Sequence, residues 1–117
     1  MKIRIISKPD PLYLCYSALF PKTLIKKAFG LTFLNNFKNF DGMFFKNCRI
    51  IHSLFMRFSF DVLFLDAEYK VIALHSGFKP FRISKYYKKA KYVLELPEGT
   101  IKNFNIGIFD KLEVNDL

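Results

Sequence analysis

Apolar residues in this chain come in short runs broken by Pro, Gly, Asp and Asn, the pattern of β-strands joined by tight turns rather than of long helices. Residues 2–7 read as an opening strand closed by Pro9-Asp10-Pro11, and residues 12–17 as a second extended piece. Pro21 suits the first turn of a helix running to about residue 29, with Gly30 as its stop. In that helix Leu24, Ile25 and Ala28 face inward while Lys22, Lys26 and Lys27 stay wet. Residues 35–42 make a polar loop. Beyond it the period is that of strands: a short one at 43–45, a long one at 49–58 and a third at 60–65. Asp66-Ala67-Glu68-Tyr69 forms a hairpin turn, with Asp in its favoured first position, into a strand at 70–75. Gly77 and Pro80 break the chain again. A strand at 92–96, one helical turn at 100–104 capped by Thr100, and a closing strand at 108–114 complete the reading. Seven or so short strands predict a mainly β fold, a small sandwich or barrel with one short N-terminal helix.

Composition sharpens this picture. A chain of 117 residues, 51% hydrophobic and 18% aromatic, is one domain by size, residues 1–117, and too apolar for disorder. With 15 Phe and no Trp, its core is built around phenylalanine. Two cysteines, Cys15 and Cys48, are too few for a disulfide framework. No segment reads as an export leader or approaches the ~20 apolar residues that span a bilayer, so the expectation is a reduced, cytoplasmic protein. The net charge of +9 favours acidic partners such as nucleic acid. A Lys-, Asn-, Ile- and Phe-rich coding bias would produce the same excess.

One stretch is distinctive: Cys48-Arg49-Ile50-Ile51-His52-Ser53-Leu54-Phe55-Met56-Arg57-Phe58-Ser59-Phe60-Asp61-Val62-Leu63-Phe64-Leu65-Asp66. It resembles the central signature of the uncharacterised bacterial and archaeal family known as domain of unknown function 192. Tyr92-Val93-Leu94-Glu95-Leu96-Pro97-Glu98-Gly99, followed by Gly107 and Asp110, is similar to that family's second motif. Phe29-Gly30-Leu31 and Asp41-Gly42-Met43 match two weaker segments. The resemblance runs from about Ser17 to Val114. It implies a small jelly-roll-like β-sandwich or barrel with a helix near its N-terminus, and no known activity, substrate or cofactor. Ser59 stands where the family has Pro, Ser53 where it has Thr, and Phe109 alters its Gly-Asp turn.

Alternation along residues 49–58 places His52, Leu54 and Met56 on one strand face and Ile51, Ser53, Phe55 and Arg57 on the other. Asp61 and Glu95 each sit inside an apolar strand, where an ionisable group must be paired or hydrogen-bonded, or shift its pKa. The leading expectation is therefore a non-enzymatic domain that binds a small ligand or protein partner. Its pocket would hold His52, Asp61 and Glu95, flanked by Cys48, Met56 and Arg57. The structural alternative has Asp61 and Glu95 accepting bonds from backbone amides or Arg57. A hydrolase or isomerase using His52 with Asp61 is a further alternative, without a visible nucleophile or phosphate loop. Cys48 and His52 would be ~13 Å apart on an extended strand, too far to share a metal, and no cofactor motif is present. A separate feature is the run of Lys79, Arg82, Lys85, Lys88, Lys89 and Lys91 interleaved with Phe81, Tyr86 and Tyr87. It suits phosphate contacts and base stacking on single-stranded nucleic acid.

Overall fold

The computed structural model describes residues 1–20, 41–54 and 56–115. Among the described residues, seven strands and one helical turn follow in chain order. They are β1 (Lys2–Ile5), β2 (Leu12–Cys15), β3 (Met43–Lys46), β4 (Phe60–Leu65), β5 (Val71–Phe78), β6 (Tyr92–Pro97), α1 (Thr100–Asn103) and β7 (Leu112–Asn115). They form two antiparallel sheets, three strands in the order β2-β1-β7 and four in the order β3-β6-β4-β5. Both sheets are open, so the barrel among the expectations is not what is built. The expected helix at 21–29 lies outside the described residues.

The apolar pattern explains this layering. Ile3 and Ile5 of β1, Cys15 of β2 and Leu112 of β7 meet Phe44, Leu63, Leu65, Leu94 and Leu96 of the larger sheet in one core. The opposite face of the larger sheet carries a second core, with Met43, Phe45, Phe60, Val62, Phe64 and Val93 covered by Ile51, Met56 and Ala90. Strands β4 and β6 are thus buried on both faces, which is why they read as continuous apolar runs. The hairpin between β4 and β5 is closed by Asp66, whose Oδ1 accepts the amides of Glu68 and Lys70, both at 2.9 Å.

Four details depart from the sequence-based reading. The described residues of 49–58 do not form a strand: among them only His52 makes a ladder contact, an isolated antiparallel bridge to Ile83. The burial phase there is also reversed, with Ile51 and Ser53 inside and His52 exposed. Gly77 does not end β5 but lies within it in a left-handed conformation, φ +67°. Thr100 is not the helix cap. Gly99 takes that position at φ +96°, while Thr100 Oγ1 donates to the Pro97 carbonyl at 2.7 Å.

Phe109 adopts φ +73° in the turn between α1 and β7 although its ring is 70% exposed, so little burial compensates the left-handed backbone. Replacing it by glycine is expected to raise the unfolding free energy by about 1 kcal/mol, whereas alanine leaves the backbone penalty in place. Urea titrations of both variants check this. Equal gains from Gly and Ala would show that the side chain, not the backbone, carries the cost.

Candidate functional site

The residues expected to share a pocket are distributed over three surroundings. Asp61, fully buried, stands on the face of β4 that looks toward the smaller sheet, in register with Leu96. Its carboxylate accepts three backbone amides: Gly77 at 2.8 Å, Gly99 at 3.1 Å and Ile101 at 2.8 Å. It ties the β5 glycine to the first turn of α1. Glu95 pairs with Val62 and Met43 and so lies on the opposite face of the same sheet. The residue is 6% exposed, and burial pushes the pKa of its carboxyl up to about 8. His52 is exposed, its neighbours Ile51 and Ser53 taking the inward positions. Met56 is buried over the second core, Cys48 is half-buried with its Sγ donating to the Ile50 carbonyl at 3.3 Å, and Arg57 is exposed. Asp61 and Glu95 therefore cannot face one ligand together. Burial raises the Cys15 thiol far above its ordinary range, which leaves it a poor nucleophile. Among the described residues, no three His, Cys, Asp or Glu side chains gather as metal ligands.

What the fold does assemble is a pinned strap, residues 79–91, laid against residues 48–53. Two serines hold it. Ser53, fully buried, donates from Oγ to the Lys79 carbonyl and accepts the Arg82 amide there at 2.9 Å. Its own amide donates to the Arg82 carbonyl at 2.8 Å. Ser84 Oγ accepts the Ile51 amide at 3.0 Å, and the Ser84 amide donates to the Ile51 carbonyl at 2.9 Å. Further along, the Tyr87 amide donates to the Arg49 carbonyl and the Lys91 amide to the Leu65 carbonyl. Tyr87 turns inward, its ring 4.4 Å from that of Phe64.

With its backbone held, the strap turns its other side chains out. Phe81, Ile83 and Tyr86 are each 64% exposed. Lys79, Arg82, Lys85, Lys88, Lys89 and Lys91 are all exposed, and no acidic residue occurs from position 69 to 94 or from 42 to 60. The ion pairs among the described residues, Arg4–Glu113 at 2.7 Å and Lys8–Asp110 at 3.5 Å, lie elsewhere. A patch of aromatic faces and uncompensated cations, fixed by main-chain bonds, can bind a flexible polyanion with unpaired bases.

Where the strap leaves β5, the outer strand of its sheet, an open groove of about 460 Å³ forms between Leu74–Phe78 and the strap residues Lys79, Arg82 and Ile83. His75 lines it. The imidazole Nε2 lies 2.9 Å from the Tyr87 hydroxyl, and burial, reinforced by Lys85, lowers its pKa and so favours the neutral ring.

Comparison with known proteins places this arrangement in a lineage. The family model described as "Uncharacterized ACR", DUF192, matches residues 15–114. The chain belongs to the DUF192 family. A UPF0127 protein of Pyrococcus furiosus is 33% identical over 99 residues, covering 71% of this chain and 84% of the relative. One from Pyrococcus abyssi is 43% identical over 63 residues, about half of each chain. Two crystal structures share the fold. The first, a protein from Sinorhizobium meliloti provisionally described as a transcription regulator, has a TM-score of 0.83 at 21% identity and covers 96% of this chain and 91% of its own. The second, a protein of unknown function from Novosphingobium aromaticivorans, has a TM-score of 0.82 at 17% identity and covers 97% and 84%. For this DUF192 chain, sequence reasoning located the strap cations but missed His75 and both serine pins. Two Ser residues 31 positions apart, each bonding main-chain atoms of the other's segment, give no local signal.

Proposed function

We propose that this DUF192 domain is a non-enzymatic binding module for single-stranded nucleic acid, residues 1–117 acting as one unit through the strap at 79–91. The observation that carries the reading is the combination, on one pinned segment, of three exposed apolar side chains with six cations and no carboxylate. Lys79, Arg82, Lys85, Lys88, Lys89 and Lys91 supply phosphate contacts, while Phe81 and Tyr86 offer flat faces to unpaired bases. Arg57, exposed four positions beyond Ser53, adds a further cation. A reduced, cytoplasmic setting belongs to the proposal, since neither Cys15 nor Cys48 is in a disulfide. The provisional description of the Sinorhizobium meliloti protein agrees in kind, but at 21% identity that likeness supports the fold alone. A small-ligand pocket shared by His52, Asp61 and Glu95 is not carried forward, because Asp61 is occupied by backbone amides and Glu95 lies on the other face of the sheet.

Engaging about four phosphates gives a log–log salt slope near −3 for a single strand, so affinity is expected to fall roughly 50-fold between 50 and 200 mM salt. Fluorescence anisotropy with a labelled 12-nucleotide strand measures this. Phe81→Ala with Tyr86→Ala is expected to weaken binding at least tenfold, at about 1–3 kcal/mol per stacked base. No binding at 10 µM protein in low salt would end the proposal.

A further inference from the structure

We propose that the groove at the outer end of β5 is a phosphomonoester site, taking the terminal phosphate of a bound strand or the phosphate of a free ester. The strand-end form rests on the strand binding proposed above; the chemistry of the site does not. Its position is distinct from the flat, exposed part of the strap. The groove is concave, about 460 Å³, and two of the six strap cations, Lys79 and Arg82, line it together with His75 and Ser76. Arg82 brings a planar fork that matches two phosphate oxygens at once. Its backbone is held at both amide and carbonyl by Ser53, so the base of the side chain is already positioned before a ligand arrives.

Charge decides between an internal phosphate and a terminal one. A phosphodiester carries one negative charge, whereas a phosphomonoester carries roughly 1.5 to 2 at pH 7 and an additional acceptor oxygen. A pair of cations in a concavity therefore favours the monoester more than a cation on a flat surface does. The lining is not uniformly positive in its surroundings. Glu98 reaches toward Gly77 from the turn before α1, its Oε2 3.0 Å from where a β-carbon on that glycine would stand. The Gly77 amide is bound to Asp61 and is not available as a donor. The recognition groups are thus the side chains on the strap wall, and Arg82 is the one whose loss is felt most.

The full chain is titrated with a 12-nucleotide strand bearing either a 5′-phosphate or a 5′-hydroxyl, and separately with adenosine monophosphate and with adenosine. The amide resonances of residues 74–79 and 81–83 are followed by NMR. The expected result is about tenfold tighter binding of the phosphorylated strand. Arg82→Ala removes that advantage, while Lys88→Ala, away from the groove, weakens both strands equally. Shifts at Ser76 and Gly77 with adenosine monophosphate but not adenosine assign the site to free esters as well. If neither strand binds while adenosine monophosphate still shifts these amides, strand binding is wrong and the ester site stands. Equal binding of the two strands, with no shift from adenosine monophosphate beyond that from adenosine, overturns the inference.

Discussion

Replacing Asp61 by alanine is expected to lower the unfolding free energy by about 3–6 kcal/mol, a large share of what a domain of this size has. The carboxylate is fully buried and is the acceptor for the amides of Gly77, Gly99 and Ile101. Removing it strands three N–H donors, that of Ile101 buried and those of Gly77 and Gly99 partly buried, and each costs about 1–3 kcal/mol where water cannot replace the partner. Domains of this size are stable by only about 5–15 kcal/mol in total. Asparagine keeps the shape and one acceptor oxygen but turns an NH₂ group toward an amide, so Asp61→Asn is expected to lose about half as much. Circular dichroism through a urea titration reads both. A loss below about 1 kcal/mol for the alanine variant would mean that the three amides find other acceptors, and that Asp61 is not the joint between β4, β5 and α1.

Glu95 is expected to make the domain less stable as pH rises. Its pKa moves from about 4.5 in the unfolded chain to about 8 when folded, because burial disfavours the carboxylate. The sign follows from proton counting. Between these two values the folded state holds a proton that the unfolded state has lost, so raising the pH favours unfolding by about 1.4 kcal/mol per unit. The contribution of Glu95 is most favourable below about pH 4.5, and its penalty is complete above about pH 8, on the order of 4–5 kcal/mol altogether. Glu95→Gln removes the titrating group from the face it shares with Met43 and Val62, and should flatten the profile across that window. Denaturation midpoints at pH 5, 7 and 8.5 for both proteins test this. An unchanged slope in the glutamine variant would place the pH dependence elsewhere.

These two carboxylates show how far the sequence could be read. That each sits in an apolar strand was visible from its neighbours, and the structural alternative for Asp61, backbone amides as partners, is what the fold contains. That they point in opposite directions was not visible. It depends on β4 and β6 pairing Asp61 with Leu96 and Val62 with Glu95, and a one-residue change of register would invert it. The strands at 43–45, 60–65 and 92–96 were legible because their apolar residues and bounding turns are local signals. Residues 49–58 misled because a run of alternating apolar and polar residues looks the same whether its ladder partner is a strand or a strap. Here Ser53 and Ser84 hydroxyls replace part of that ladder. The basic run at 79–91 was evident as composition. Its being held still, and the groove beside it, depend on which strand is outermost in the sheet, a property of topology that no short window contains.

The way Ser53 holds the strap has a consequence for how the domain can diverge. It grips Lys79 and Arg82 through their main-chain atoms only, and Ser84 likewise grips the main chain of Ile51. The outward side chains at 81, 82, 83, 85, 86, 88 and 89 are not required for anchorage, so they are free to be exchanged with little penalty to folding, β-branched residues at 81 excepted because its backbone is left-handed at φ +59°. Relatives could retune what they recognise by rewriting this one ribbon, and a laboratory library at the same seven positions would treat the domain as a frame for display.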